Sequence, residues 1–245
     1  MKNGNKIAFK SLNLQIFRTA DGSDTLFDKD VSQHYHSTFG AVQESRHIFI
    51  EQGFLHAAGK FLSLSRDKRV DLKVLEIGFG TGLNALLTQA EAEKHEISVH
   101  YTAIEAYPLT QSYWRSLNYA QVSGSVYCSH VFAKLHLAAW HNPVEISTCF
   151  TLHKIKVDLV EYRPEAGSFD LIYFDAFGPD VQPELWTERI FRNLGNIMST
   201  GGILVTYSVK GTVVRALQSA GFQTEKKPGP PGKRHILRAS KSFQQ

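Results

Sequence analysis

The sequence has little cysteine: Cys128 and Cys149 are its two thiols, and they do not form a Cys-x-x-Cys pair. A disulfide framework or a zinc knuckle is therefore not expected. Histidines and carboxylates also lack the spacing of ligands, so no metal is expected. No apolar run approaches the roughly 20 residues that a membrane helix needs, and the N-terminus lacks the apolar core of a signal peptide. A cytoplasmic protein without a membrane partner is the resulting expectation.

Charge of either sign is moderate, but the basic residues are unevenly distributed. Charged residues make up 20% of the 245 residues and the net charge is +4, which is typical of a globular protein and argues against disorder. Between residues 226 and 241 there are six basic residues and no acidic one. This stretch is either a solvated basic tail or a face that contacts phosphate groups.

The hydrophobic pattern predicts an N-terminal appendage followed by repeated β-α units. Alternation from Leu12 to Phe17, a turn at Asp21–Ser23 and a return at Thr25–Phe27 indicate a β-hairpin. The predicted helices are Ala41–Leu55, Leu83–Lys94, Thr110–Asn118, Glu184–Met198 and Val213–Ala220. The predicted strands are Leu72–Ile77, Ile97–Ile104, Ile155–Val160, Phe169–Phe174, Ile203–Tyr207 and a final antiparallel pair, Phe222–Lys226 and His235–Ala239. This order predicts an α/β fold with a mostly parallel, doubly wound sheet.

A glycine-rich turn follows the first strand of that sheet. The segment from Glu76 to Asn84 reads Glu-Ile-Gly-Phe-Gly-Thr-Gly-Leu-Asn. A dinucleotide site would need a third glycine where this chain has Leu83. The pattern instead resembles the first motif of class I (Rossmann-like) methyltransferases, which implies S-adenosylmethionine as the cofactor and Glu76 near its charged amino acid portion.

Further carboxylates follow later strands, where ligands bind in such sheets. Glu105 ends the second strand and could accept hydrogen bonds from both ribose hydroxyls. Asp158 and Glu161 are both plausible partners for the adenine amino group, and we favour Asp158.

Asp175 is the predicted catalytic residue. It follows a buried strand and opens the segment Asp-Ala-Phe-Gly-Pro, similar in layout to the Asp-Pro-Pro-Tyr loops of enzymes that methylate amino nitrogens. An attacking amine needs a free lone pair, and an alkylamine is mostly protonated at neutral pH. A carboxylate can orient the ammonium and accept its proton. Phe177 is expected to shield the path of the methyl group from water.

Several segments together resemble the methyltransferase domain of the MnmC proteins, and especially the stand-alone form called MnmD. These segments are Glu44–Ile50, Glu76–Asn84, Ile104–Leu109, Phe174–Pro179, Leu185–Thr187, Gly201–Ser208 and Gly232–Leu237. The resemblance implies methylation of 5-aminomethyl-2-thiouridine to its 5-methylaminomethyl form at the tRNA wobble position.

The resemblance also implies where ligands bind. It implies that the cofactor is surrounded by Glu76, Gly78, Gly80, Gly82, Asn84, Glu105, Asp158 and Asp175. It implies that the substrate uridine and its tRNA lie near Tyr35, Glu44, Arg46, Lys233 and Arg234. Residues 1–70 then form a substrate-side appendage of hairpin and helix, and residues 71–245 the S-adenosylmethionine-binding domain. MnmC fuses this domain to a flavin-dependent oxidase, which this chain is too short to include, so no FAD is expected.

Two alternatives remain open on the sequence. A methyltransferase or aminopropyltransferase of small amines could use the same sheet and the same acids. A non-catalytic RNA-binding or scaffold protein could keep the fold without the chemistry.

Overall fold

The computed structural model describes residues 12–64, 70–122, 128–164, 166 and 168–241. The strands are β1 Leu14–Arg18, β2 Asp24–Asp28, β3 Gln33–His34, β4 Asp71–Ile77, β5 Ser98–Glu105, β6 Pro143–Ser147, β7 Phe150–Lys156, β8 Phe169–Phe174, β9 Met198–Thr206, β10 Phe222–Pro228 and β11 His235–Lys241. The helices are α1 Ala41–Ser45, α2 His56–Leu64, α3 Leu83–Lys94, α4 Gln111–Trp114, α5 Tyr119–Val122, α6 Cys128–Leu137, α7 Glu188–Ile197 and α8 Gly211–Ser219. A π-helix at Arg46–Leu55 joins α1 to α2, and a 3-10 turn lies at Pro183–Leu185.

The large sheet has eight strands in the order β10-β11-β9-β8-β4-β5-β7-β6. Strands β7, β5, β4, β8 and β9 run parallel, whereas β6 and β11 are antiparallel to their neighbours. The chain leaves β4 towards β5 on one side and returns to β8 on its other side. This arrangement confirms the doubly wound fold and creates a switch point beside β4, where ligands bind in such sheets.

The N-terminal elements cover one face of this sheet. Strands β1, β2 and β3 form a separate antiparallel sheet, which confirms the predicted hairpin and adds a third strand. The π-helix lies directly on the large sheet: a Cβ at Gly53 would be 3.0 Å from Val205 and 3.1 Å from Tyr173. Its Phe49 ring packs 5.2 Å from that of Tyr173. One hydrophobic cluster therefore spans both parts of the chain.

The predicted helix Thr110–Asn118 is wrong in extent, because Asn118 bonds to the hairpin instead of continuing α4. Its backbone N–H donates to Asp24 Oδ2 at 3.0 Å, and its side-chain oxygen accepts from the Asp24 N–H at 2.8 Å. Its Nδ2 donates to the Gly22 carbonyl at 2.8 Å. These bonds fix the turn of the hairpin and separate α4 from α5.

Other predicted elements also have different bounds: β7 begins at Phe150 and β9 at Met198, each five residues before the predicted start. The strand predicted at Ile155–Val160 ends at Lys156, because the Asp158 carboxylate accepts the Val160 N–H at 2.8 Å and forms a turn. The helix predicted from Glu184 begins at Glu188, where the Thr187 hydroxyl caps it by accepting the Ile190 N–H. Helix α6 and strand β6 have no counterpart among the elements predicted from the sequence.

Two observations concern membranes and metals. Among the described residues, no helix combines the length and apolar character needed to cross a membrane. Within the same part of the chain, no group of three or more histidine, cysteine, aspartate or glutamate side chains is arranged to hold a metal ion.

Candidate functional site

The glycine-rich turn after β4 packs tightly against its neighbours. Its backbone is tied to β5, because the N–H groups of Gly78 and Phe79 both donate to the Ile104 carbonyl, at 3.0 and 3.2 Å. Gly78, Gly80 and Gly82 all have positive φ. A Cβ at Gly78 would lie 3.0 Å from the Asp175 carbonyl oxygen, so glycine is required there for both conformation and space.

A cavity of about 630 Å³ opens beside this turn, at the carboxyl ends of β4, β5, β7 and β8. Residues 33–39 and the segment Gly232–Lys233 form its opposite wall. This volume lies within the range of small-molecule and cofactor sites. The cavity is therefore where the sheet topology places a ligand.

The described wall of the cavity is strongly acidic. Six carboxylates line it: Asp28, Glu44, Glu105, Asp158, Asp175 and Glu184. Lys233 is the one lysine or arginine among the described lining residues. Such a site favours cationic ligands and disfavours phosphates, because clefts lined by one sign of charge attract the other.

Glu105 is held by the backbone on both oxygens. Oε2 accepts the Gly80 N–H at 2.9 Å and Oε1 accepts the Tyr107 N–H at 2.8 Å. Burial raises the pKa of this carboxyl, and the two N–H donors oppose that rise. Each carboxylate oxygen can accept a further bond, so the fixed group can receive two neighbouring hydroxyls.

Asp175 follows β8 directly and faces the cavity. Its Oδ2 accepts the Asn84 Nδ2–H at 2.8 Å, and its backbone N–H donates to the Ile77 carbonyl at 3.1 Å. Burial and the negative charge of Glu44 raise the pKa of Asp175 well above its usual range, while Asn84 and Lys233 lower it. A carboxyl tuned in this way is suited to proton transfer.

Glu76 is not part of the cavity wall. It is fully buried, and neither carboxylate oxygen has a hydrogen-bond partner among the described residues. Burial and the charge of Asp175 raise its pKa well above the usual range. The Asn84 amide and the Tyr101 hydroxyl lie close enough to moderate that rise, although neither makes a well-formed bond to Glu76. A buried carboxylate without partners is costly in a protein that has no ligand to pair with it.

We expect Glu76→Gln to stabilise the ligand-free protein at pH 8 by about 1–3 kcal/mol, since an amide costs less to bury than a charge. An acid whose pKa is raised by folding contributes full stability below its ordinary value of 4.5 and loses it as the pH rises through the raised value. The advantage of the variant should therefore shrink as the pH falls towards 4.5. Urea unfolding at pH 5 and pH 8 measures this. Glu145→Gln, on exposed β6, is the matched control, and an equal advantage at both pH values would contradict the assignment.

The loop after Asp175 is fixed by bonds to its backbone. The Tyr207 hydroxyl donates to the Ala176 carbonyl at 2.8 Å, and the Trp186 ring N–H donates to the Phe177 carbonyl at 2.8 Å. The Phe177 ring meets the ring of Tyr35 edge to face, with centroids 5.0 Å apart. These two rings form a short aromatic wall above the glycine turn, because a Cβ at Gly80 would lie 3.3 Å from Tyr35.

The predicted substrate residues divide into two groups. Tyr35, Glu44 and Lys233 line the cavity, whereas Arg46 and Arg234 do not. Arg46 lines a separate surface depression and lies 3.6 Å from a carboxylate oxygen of Glu91. Arg234 is exposed and directly follows Lys233 in the chain.

The predicted cofactor residues also divide into those that line the cavity and those that do not. Gly78, Gly80, Asn84, Glu105, Asp158 and Asp175 all line the cavity, and Gly82 shapes the end of the turn without reaching the wall. Asp158 is on the wall and Glu161 is not, which favours the choice between them made from the sequence.

Sequence reasoning missed three residues that shape the site. The Gln33 side-chain oxygen accepts the Gly178 N–H at 3.2 Å, and His36 Nε2 lies 2.8 Å from the Thr81 hydroxyl. Tyr207 lines the cavity and fixes the Asp175 loop. Gln33 and His36 belong to no motif. Tyr207 could have been found, since it ends a predicted strand at the ligand-binding edge of the sheet.

Comparison with known proteins gives matches in sequence. Residues 128–242 match a family described as S-adenosyl-L-methionine-dependent methyltransferase. The tRNA 5-methylaminomethyl-2-thiouridine biosynthesis bifunctional protein MnmC of Aromatoleum aromaticum is 32% identical, over 83% of this chain and 32% of its own length. The protein of the same name from Pseudoalteromonas atlantica is 28% identical, over 94% of this chain and 34% of its own length. The chain therefore spans about a third of the length of these relatives.

Solved structures share the fold. The MnmC2 protein of Aquifex aeolicus superposes with a TM-score of 0.72 at 22% identity, covering 96% of this chain and 74% of that protein. Spermidine synthase of Thermotoga maritima superposes with a TM-score of 0.52 at 15% identity, covering 99% of this chain and 84% of that protein. These likenesses confirm the predicted class I architecture.

Proposed function

Since this chain belongs to the MnmC methyltransferase family, we propose that it methylates the amine of 5-aminomethyl-2-thiouridine at the wobble position of tRNA. S-adenosylmethionine supplies the methyl group, and the product is the 5-methylaminomethyl form. An enzyme of this kind acts in the cytoplasm, where tRNA is modified. The name of the relatives supports 5-aminomethyl-2-thiouridine as the nucleoside, and the acidic cavity supports an amine as the group that reacts.

The residues of the cavity fit S-adenosylmethionine. Its ribose diol suits Glu105, whose two oxygens are fixed by backbone N–H groups. Its ammonium group would bind at Asn84, which lines the cavity and whose buried side-chain oxygen lacks a partner, as do the oxygens of Glu76 behind the wall. Asp158, which lines the cavity past the end of β7, would bind the adenine amino group. When bound, the cofactor would supply an electrophilic methyl group from its sulfonium, and the electron pair of the broken carbon–sulfur bond would remain on sulfur.

One observation carries the proposal: Asp175 and Glu105 share one acidic cavity. If Glu105 holds the ribose of the cofactor, Asp175 faces the part of the cavity that remains for the substrate amine. The Asp175 carboxylate attracts the substrate ammonium, orients the nitrogen and accepts its proton. Asn84 restrains the carboxylate by its hydrogen bond, and the Tyr35–Phe177 wall excludes water from the path of transfer.

Mass spectrometry of nucleosides tests this function. The purified protein is incubated with S-adenosylmethionine and with tRNA that carries 5-aminomethyl-2-thiouridine, and the digested nucleosides are then measured. The expected product carries one added methyl group on the amine. Addition of an aminopropyl group from the decarboxylated cofactor, or methylation of free polyamines instead of tRNA, would assign the site to small amines.

Arg234 is expected to contact a tRNA phosphate, since it is exposed and directly follows Lys233, a residue of the cavity wall. The variant Arg234→Met should weaken tRNA binding and reduce the slope of log K against log salt concentration by about one. Filter binding or fluorescence anisotropy at several salt concentrations measures this slope. Lys73→Met, near the amino end of β4, serves as the control for loss of an exposed cation. An unchanged slope in the Arg234 variant would remove this residue from the interface.

A further inference from the structure

Lys233 lies in an unusual place for a residue that the family resemblance assigns to tRNA phosphate. Its ammonium lies 3.3 Å from Glu44 Oε1 and 5.1 Å from the centre of the Tyr207 ring, inside the cavity. Glu44 is itself buried and fixed, because its other oxygen accepts the Ser37 N–H at 2.7 Å. The ammonium is therefore held beside Glu44 on the cavity wall, with about 30% of the Lys233 side chain still exposed.

The charges around Lys233 explain why a cation is needed there. The titratable groups that face it are Glu44 on α1, Asp175 after β8 and Tyr207 after β9. Burial and the nearby carboxylates raise the pKa of Tyr207, so this hydroxyl stays neutral. Asp175 senses both other groups, since Glu44 raises its pKa and Lys233 lowers it. Glu44, Lys233 and Asp175 thus act on the same small volume.

An acidic cavity creates a difficulty for an amine methyltransferase. Six carboxylates attract the substrate as an ammonium ion, but an ammonium nitrogen has no lone pair with which to form the new bond to carbon. The proton must first pass to Asp175 or to water. Carboxylates alone would oppose this loss, because opposite charges stabilise the protonated form of an amine.

We propose that the Lys233 ammonium, held by Glu44 beside Asp175, keeps the bound substrate amine in its unprotonated, nucleophilic form. This inference rests on the proposed function. A neighbouring cation disfavours a second positive charge, and lysines beside other cationic groups lose their protons for the same reason. Glu44 holds the Lys233 ammonium in place and offsets part of its positive charge. Asp175 then accepts the proton that the substrate ammonium loses.

The test is the pH dependence of single-turnover methylation, with saturating tRNA and cofactor, so that the profile reports groups in the bound complex. In Lys233→Met the midpoint of the acid limb should move up by about one pH unit. The rate should fall about tenfold below the midpoint and match the parent at the alkaline plateau. Lys233→Arg keeps the charge and should keep the parent profile, and Lys73→Met controls for loss of a distant cation.

Three results with the variants would overturn the inference. A loss of rate that is equal at every pH would indicate a structural role for Lys233. A parent-like profile in Lys233→Met would show that its charge does not act on the amine. A salt slope of tRNA binding that falls by about one in Lys233→Met would place the side chain on a phosphate. If the parent protein methylates no tRNA amine at any pH, the proposed function fails and the inference fails with it. Failure of the variants alone leaves the function intact.

Discussion

Replacing Asp175 by alanine is expected to lower the rate of methyl transfer by about 10²- to 10⁴-fold, the usual contribution of a positioned acid–base group. Asp175 faces the cavity from the end of β8, and its carboxylate is restrained by Asn84. Without it, the substrate ammonium loses one of the six carboxylates that attract it and also loses its proton acceptor. Affinity for S-adenosylmethionine should change little, because Glu105 remains in place. Single-turnover kinetics with calorimetry of cofactor binding separates the two effects.

The control for this variant lies on the same loop. Asp180 is five residues further along, and its exposed carboxylate pairs with Lys210 outside the cavity. Asp180→Ala should therefore retain the parent rate, and both variants should unfold at a temperature close to that of the parent. Turnover by Asp175→Ala within a few-fold of the parent would show that another group accepts the proton.

The second large effect is expected on cofactor affinity. Glu105→Ala removes a fixed carboxylate that receives the Gly80 and Tyr107 N–H groups and faces the cavity. Bonds to a charged acceptor contribute about 1.5–3 kcal/mol each, so affinity for S-adenosylmethionine should fall about 100-fold or more. The rate at saturating cofactor should stay near that of the parent, because Glu105 does not contact the amine.

Calorimetric titration with S-adenosylmethionine measures this loss directly. Glu145→Ala, on the exposed face of β6, removes a carboxylate far from the glycine turn and should bind the cofactor normally. If Glu105→Ala binds the cofactor as tightly as the parent, the ribose is held elsewhere and the orientation proposed here is wrong. The Asp175 variant should lose rate, whereas the Glu105 variant should lose cofactor affinity. This contrast separates the part of the cavity that faces the amine from the part that holds the cofactor.

The parallel core of the fold could be predicted because its signals are local. Strands β4 and β8 are short apolar runs that end in a glycine turn and in Asp175, and buried parallel strands have this pattern. The glycine turn itself required positive φ, which the sequence Gly-Phe-Gly-Thr-Gly indicates. These features predict a ligand site at the carboxyl ends of the strands, and the cavity lies there.

The errors in the predicted elements came from one set of distant contacts and from one local hydrogen bond. The helix after β5 is interrupted because Asn118 bonds to Asp24 and Gly22, about 95 residues earlier, and no local pattern encodes that. The strand predicted to Val160 ends early because Asp158 bonds to a nearby backbone N–H, which competes with strand pairing.

In the site too, contacts between distant parts of the chain decide which predicted residues line the cavity. Motifs identified Glu105 and Asp175, but the positions of Lys233 and Arg46 depend on how the N-terminal helix packs on the sheet. Lys233 turns inward because Glu44 on α1 faces it, and Arg46 turns away towards Glu91 on α3. A basic pair in sequence, Lys233 and Arg234, is thereby divided between the cavity and the surface.

A crystal structure of the protein with S-adenosylhomocysteine would show whether the cofactor binds in this cavity. We expect the ribose hydroxyls within about 3 Å of the Glu105 carboxylate, the adenine beside Asp158, and the sulfur directed to the part of the cavity that Asp175 faces. Density for the ligand outside this cavity, or a ribose out of reach of Glu105, would contradict it.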